Sequence, residues 1–190
     1  MIEPTCQIKR LDRFVAEYPV GFFVEVGASD GKKYSNTYHL AEAGWKGIYI
    51  EPVSHLVESC INNHKDHNVT VIECAISNYN GEIEMYCGSD LYTANKNILP
   101  VFDSFKVPCF TLDTLLKGLK IDLLVIDVEF HEKEVLEGFT LDEFNPKIVI
   151  IEAHEKNRNK RLKPNVKFIN DYFSKYKKVY SDTINNIYVR

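Results

Sequence analysis

Short apolar runs alternate along this chain with stretches whose apolar residues recur at helical spacing. Phe22–Val26, Ile48–Ile50, Val69–Glu73, Asp122–Asp127 and Lys147–Ala153 are brief and rich in strand-forming side chains. They suit strands covered on both faces. Between them, Leu40 and Ala41 follow the capping oxygens of Ser35, Asn36 and Thr37. Leu56, Val57, Cys60 and Ile61 follow Ser54, a predicted N-cap of a helix to about Asn63. Thr111–Leu116, Glu132–Phe139 and the set Val166, Ile169, Tyr172, Phe173 give further helices. Ile8, Leu11, Phe14, Val15 and Tyr18 predict a helix over residues 8–18, stopped by Pro19, as an extension within residues 1–19. Glu82–Cys87 alternates like a half-exposed strand, residues 88–106 show no sustained period, and Lys106–Cys109 reads as extended. Lys178–Ser181 and Ile187–Val189 are predicted to pair antiparallel around a turn at Asn185-Asn186. The pattern predicts an α/β three-layer sandwich in one domain over residues 1–190. Its seven-stranded sheet is mostly parallel and ends in an antiparallel strand.

The stretch from Phe22 to Pro52 reads as strand, glycine turn, helix and second strand, with Glu51 at the second strand's carboxyl end. Such a unit binds an adenosine-like ligand, with Glu51 accepting from the ribose hydroxyls. Gly27 and Gly31 bracket Ala28, Ser29 and Asp30, and are expected to let a ligand approach the backbone. The dinucleotide fingerprint needs a glycine where Ser29 stands, and Asp30 would repel a diphosphate. With Glu25 before the turn, the acids favour a cationic sulfonium cofactor, S-adenosylmethionine. No Gly-Lys-Ser/Thr signature follows at Walker spacing.

Composition narrows the classes. Hydrophobic residues at 45% and charged residues at 26% exclude a disordered chain. A net charge of −4 gives no pull toward nucleic acid or an anionic membrane, and no run approaches the ~18 apolar residues of a membrane span. The five cysteines are odd in number with no C-x-x-C pair, which reads as reduced core thiols. With no signal peptide visible, a cytoplasmic protein is expected.

Ligands of parallel sheets bind beyond the carboxyl ends of the strands. That rule collects Gly27–Gly31, Glu51, Ala75 with Ile76, Asp127–Glu129 and Glu152–His154 on one rim. The expected cofactor contacts are Glu25, Gly27, Ala28, Ser29, Asp30, Gly31, Asn36, Glu51, Pro52, Ala75, Ile76 and Asp127. Glu129, His131, Glu152 and His154 are the candidate catalytic groups of that rim, able to accept a proton from an acceptor. Asp127, Glu129, Glu152 and His154 could alternatively share a divalent metal. Lys156, Arg158, Lys160, Arg161 and Lys163 form a basic run that could clamp an anionic acceptor.

The segments VEVGASDG, GIYIEP, CAISNYNGEIEMY, FTLDTLL, LLVIDVEFHEKEVLEGF and IVIIEAH together resemble the FkbM family of S-adenosylmethionine-dependent methyltransferases, over about residues 20–155. The resemblance implies a class I, Rossmann-like methyltransferase fold and methyl transfer to a hydroxyl of a small molecule or a sugar. It places Glu25 and Gly27 in the cofactor turn, Glu51 on the ribose and Asp127 in the fourth-strand motif. The family's usual D-V-E-G-H-E here runs Asp127-Val128-Glu129-Phe130-His131-Glu132, with Phe130 in place of a glycine. That substitution leaves open a non-catalytic cofactor-binding subunit, and a nicotinamide oxidoreductase is the weaker alternative. No Asn/Asp-Pro-Pro-aromatic turn occurs there, which disfavours nucleic-acid bases as acceptors.

Overall fold

The computed structural model describes residues 18–88, 91–97, 102–153, 164–182 and 184–190. The seven-stranded sheet comprises β1 (Phe22–Val26), β2 (Lys46–Glu51), β3 (Val69–Glu73), β8 (Leu123–Ile126), β9 (Ile148–Glu152), β10 (Lys177–Ser181) and β11 (Asn185–Val189). Their order is β10-β11-β9-β8-β1-β2-β3, and β11 runs antiparallel to both neighbours. The remaining pairs are parallel. Strand order reverses between β1 and β8, so the carboxyl ends of those two strands open a crevice.

Alternation along the strands builds two cores. Val24, Val26, Ile48, Ile50, Leu124 and Ile126 share one face, while Phe23, Tyr49, Leu123, Val125, Ile148 and Ile150 share the other. The first face packs against residues of α3 (Leu112–Leu115), α4 (Glu132–Glu137), α5 (Leu141–Phe144) and α6 (Pro164–Tyr172). The second takes Leu40 and Ala41 of α1 (Tyr38–Glu42), and Cys60 of α2 (Ser54–Asn63). Three layers result, as the pattern predicts.

A second sheet is a structural addition to the predicted elements. It joins β4 (Ala75–Ile76), β7 (Asp103–Phe110), β5 (Gly81–Cys87) and β6 (Tyr92–Thr93), in that order. Met85, Val107, Ala75 and Cys109 form its own small core. The aperiodic stretch 88–106 therefore contains β6 and the start of β7.

Three local expectations are corrected. Asn185 and Asn186 are buried in β11 opposite Glu152 and Ile151, not in a turn. The chain reverses earlier, where Asp182 Oδ1 accepts the N–H groups of Ile184 and Asn185 at 2.7 and 2.6 Å. Val53, not Ser54, is the N-cap of α2, and Ser54 Oγ instead donates to Glu73 Oε1 at 2.5 Å. Ile61 points outward at 52% exposure, leaving Val57 and Cys60 as the buried stripe. Of the helix predicted over residues 8–18, Tyr18 alone lies within the described residues.

Candidate active site

The site begins where β1 ends. Gly27 and Ala28 both donate to the Ile50 carbonyl at 2.9 and 3.1 Å, and Asp127 donates to that of Val26 at 3.0 Å. Three strand ends are thereby drawn together. A Cβ on Gly27, whose φ is +81°, would lie 1.7 Å from the Asp127 carbonyl oxygen. A Cβ on Gly31, φ +69°, would meet Cys60 Sγ at 2.4 Å. Both glycines thus make room for the protein itself, and Gly27 also lines the cavity described below. Asp30 turns inward on its own loop, its Oδ1 accepting from Lys32 and Lys33 N–H at 2.9 and 2.7 Å.

Two buried carboxylates organise this turn. Glu51 Oε2 accepts from Ser29 N–H at 2.8 Å and Oε1 from Val53 N–H at 3.1 Å. Glu25 Oε2 accepts from Ser35 and Thr37 hydroxyls at 2.8 and 2.5 Å, and Oε1 from Asn36 N–H at 3.0 Å. Ser35 Oγ in turn accepts N–H from Thr37 and Tyr38, so it caps α1 in place of Thr37. Burial pushes both acids up to about 7, against those hydrogen bonds.

The facing turn after β8 is the more acidic. Asp127, Glu129 and Glu152 each offer a carboxylate oxygen, all within 4.8 Å of one another, a set that suits a hard divalent ion. Glu132 is buried beside them, and burial with the Glu152 charge pushes it up to about 8. Burial, followed by the charges of Asp127 and Glu129, raises Glu152 further. So many carboxyls cannot all ionise without protons or a cation among them. The turn itself is strained: Glu129 has φ +52° and Phe130 φ +72°. Thr93 Oγ1 donates to the Glu129 carbonyl at 2.6 Å, Asn95 Nδ2 to that of Phe130 at 3.3 Å, and Phe130 N–H to Glu132 Oε1 at 3.0 Å. The left-handed backbone at Phe130 explains why a glycine suits that position.

Between the two turns lies a cavity of about 790 Å³, within the roughly 300–1,000 Å³ usual for small-molecule sites. Its lining includes Glu25, Gly27, Ala28, Ser29, Glu51, Pro52, Ala75, Ile76 and Asp127 from the expected cofactor set, and Glu129 and His131 from the catalytic set. Asp30, Gly31 and Asn36 do not line it, being turned into the loop's own packing. Glu152 does not line it either. It is only 4% exposed and lies behind the rim, so its expected role as a base at the acceptor is not matched by its position. His154 and the basic run 156–163 fall outside the described residues. Sequence reasoning missed Tyr92, Met85 and His55, which also line the cavity, and Ser77, whose Oγ meets His131 Nε2 at 3.0 Å. The ring of Tyr92 from β6 reaches that of His55 on α2 at 5.9 Å and joins the two walls. His131 Nδ1 faces Glu134 Oε2 at 3.6 Å. Burial lowers the His131 pKa against the pull of Glu134 and Glu137, which favours neutral imidazole at pH 7.

The profile of the FkbM methyltransferase domain matches residues 25–180. The chain belongs to the FkbM methyltransferase family. The family is one of methyltransferases, and the solved structures the chain resembles share its class I, Rossmann-like fold. TehB from Haemophilus influenzae superposes with a TM-score of 0.55 at 7% identity, covering 94% of this chain and 60% of TehB. The chain thus spans about three fifths of TehB's length. A methyltransferase from Geobacter sulfurreducens gives a TM-score of 0.53 at 16% identity, covering 98% of this chain and 80% of the other. A mutant of MtNAS in complex with S-adenosylmethionine gives 0.52 at 12% identity, covering 95% and 60%. At these identities the likeness is one of fold. No curated protein matches the chain by sequence. Among the described residues no helix is long and apolar enough to cross a membrane.

Proposed function

We propose that this FkbM domain methylates a hydroxyl oxygen of a small molecule or sugar unit, using S-adenosylmethionine. The observation that carries the reading is the cavity's polarity. A buried carboxylate, Glu51, stands at one end, and Asp127 and Glu129 stand at the other. Glu51 would take the ribose hydroxyls with the lone pairs its two backbone donors leave over. Ala75, Ile76 and Pro52 offer a flat apolar seat for the base, and Asp127 and Glu129 attract the cationic methionyl end. Glu25, with both oxygens engaged by residues 35–37, acts there through its charge and by fixing the loop. The cofactor supplies a methyl on a cationic sulfur, so the acceptor oxygen gains the O–C bond and the S–C bonding pair stays on sulfur.

Removal of the hydroxyl proton is assigned to His131. With the proton on Nδ1 facing Glu134 Oε2, Nε2 is the accepting nitrogen, meeting Ser77 Oγ at 3.0 Å or a substrate hydroxyl that takes its place. The resulting imidazolium would be stabilised by Glu134. Glu129 is the second candidate, at the same rim. The free thiols among the described residues, Cys60, Cys74, Cys87 and Cys109, favour a cytoplasmic setting, and the acidic site disfavours a nucleic-acid partner. A divalent ion on Asp127, Glu129 and Glu152 is the second reading, favoured by their mutual spacing.

Calorimetric titration with S-adenosylmethionine, S-adenosylhomocysteine and NAD tests the assignment. Glu51→Ala should weaken the first two by about 10- to 150-fold, the worth of roughly 1.5–3 kcal/mol of charged hydrogen bonding. Unchanged affinity in that variant, or preferential binding of NAD, would overturn it. Binding without methyl transfer to any acceptor would favour a non-catalytic subunit. Turnover lost in EDTA and restored by magnesium would favour the metal.

A further inference from the structure

Charge is not spread evenly over this molecule. Asp127, Glu129 and Glu152 stand at the carboxyl ends of the parallel strands, and the opposite edge of the sheet is basic. Lys46 opens β2 opposite Phe22. Asp122 lies beside Phe22, and its carbonyl accepts the Lys147 N–H at 3.0 Å. The Lys147 carbonyl accepts the Arg190 N–H, also at 3.0 Å, and Lys177 opens β10 opposite Val189. Backbone pairing thus sets Lys46, Lys147, Arg190 and Lys177 along one edge of six adjacent strands, roughly 24 Å at ~4.8 Å per strand. Lys117 and Lys120 join them from the loop that enters β8.

Few acids neutralise this edge. Asp122 is taken by Lys147 Nζ at 2.7 Å, and Asp142 by Lys175 Nζ at 2.7 Å. Glu42 and Glu143 lie on the flanking helices α1 and α5. Among the described residues, no carboxylate pairs with Lys46, Lys117, Lys120 or Lys177, all of them exposed. Two apolar side chains stand out among these cations. Val20, next to the Gly21 carbonyl that accepts Lys46 N–H, is 69% exposed. Leu119, between Lys117 and Lys120, is 38% exposed.

A net charge of −4 therefore hides an acidic end and a basic end. An anionic surface orients such a dipole with the acidic cavity turned away. The shape of the array selects the partner. The basic area is an edge and a loop rather than a groove for a peptide, and a reader of duplex nucleic acid would have to enter its groove. Lipid headgroups move laterally to meet scattered cations, and side chains like Val20 and Leu119 enter the apolar boundary beneath them.

We propose that this edge, with Lys46, Lys117, Lys120, Lys177 and Arg190, is a docking surface for an anionic phospholipid membrane. Bound that way, the protein holds its cavity toward the aqueous side. The surface fixes where the protein sits and leaves the chemistry of the opposite rim untouched.

Vesicle co-sedimentation tests the surface, with vesicles of phosphatidylcholine alone and of phosphatidylcholine mixed with phosphatidylserine. The protein should pellet with the mixed vesicles only, and ~0.5 M salt should release it by screening. Lys120→Ala combined with Lys177→Ala should weaken binding by ~30-fold, the equivalent of about 1 kcal/mol per cation. Neither residue lines the cavity, so thermal melting and S-adenosylmethionine affinity should stay as in the parent. Equal pelleting with both vesicle types, no pelleting with either, or undiminished binding in the double variant would overturn the proposal. So would polyglutamate or duplex DNA that binds more tightly than the mixed vesicles, which would give the edge to an acidic polypeptide or a nucleic acid instead.

Discussion

The turn after β1 and the turn after β8 face each other across the cavity, and both pass through left-handed backbone. The first does so largely with glycines, at φ +81° for Gly27 and +69° for Gly31, and with Ser29 at +51° held by Glu51. The second has no glycine at its bend: Glu129 and Phe130 take φ of +52° and +72°. Each such residue costs about 1–2 kcal/mol, so the second turn persists only because its surroundings over-determine it. Those surroundings are Thr93, Asn95 and Glu132, which hold both carbonyls and one N–H of the bend. The first turn is fixed by what fits between strands. The second is fixed by hydrogen bonds from the segment that carries β6, so the main sheet and the second sheet meet at the Glu129–Phe130 bend.

The comparison breaks most severely at Gly27. Gly27→Ala puts a methyl against the Asp127 backbone in a conformation that L residues avoid, and the loss should reach about 4–5 kcal/mol or more. Against a total stability of roughly 5–15 kcal/mol, urea unfolding should show little or no folded protein left.

Next comes the pH dependence, to which both turns contribute. Glu25 and Glu51 sit at about 7 and Glu132 at about 8, all above the ordinary value of 4.5. The unfolded chain therefore loses these protons first, and stability is greatest below pH 4.5 as far as these groups go. It falls as pH rises to about 8, by up to ~1.4 kcal/mol per pH unit for each group. Thermal denaturation from pH 5 to 8 should show the decline. Glu132→Gln, which keeps an oxygen for Phe130 N–H, should flatten its upper part, and an unaltered profile would remove Glu132 from the account. Smaller still is Thr93→Val, which leaves the Glu129 carbonyl without its hydroxyl donor and should cost about 1–3 kcal/mol in urea unfolding. The smallest effect sharpens the contrast directly. Phe130→Gly should be more stable than Phe130→Ala by about 1 kcal/mol, the reverse of the usual order, because only glycine relaxes at φ +72°. Equal stability of the two would show that the bend carries no strain.

Much of this was legible from residue order. Parallel strands covered on both faces betray themselves as apolar runs, and Glu51 and Asp127 stand at the strand ends where the pattern predicts them. The family segments identified the fold and the match to residues 25–180 agrees with it. Other parts resisted for physical reasons. Asn185-Asn186 has the composition of a turn, yet pairing with β9 buries it, and Asp182 was the better turn signal. Two-residue strands such as β6 carry no period, so Tyr92, Thr93 and Asn95 reach the site from a stretch with no pattern. Glu152 looked available because it ends a strand. The side chains around it, not its place in the sequence, bury it. The two glycines were legible as turns but not as packing positions, since the atoms they accommodate come from distant segments.

The pairing of β4 with β7 has an evolutionary consequence. Ala75 lies opposite Cys109 and Ile76 opposite Phe110, so the chain leaves the main framework and returns to it at the same place. Tyr86, Thr93, Asn95, Lys96 and Asn97 all belong to that excursion, whereas Glu25, Gly27, Glu51 and Asp127 belong to the framework. The excursion is a cassette with adjoining ends. Replacing it wholesale would rebuild one wall of the cavity while sparing the framework carboxylates, so lineages could reshape the site by exchanging one contiguous stretch of gene.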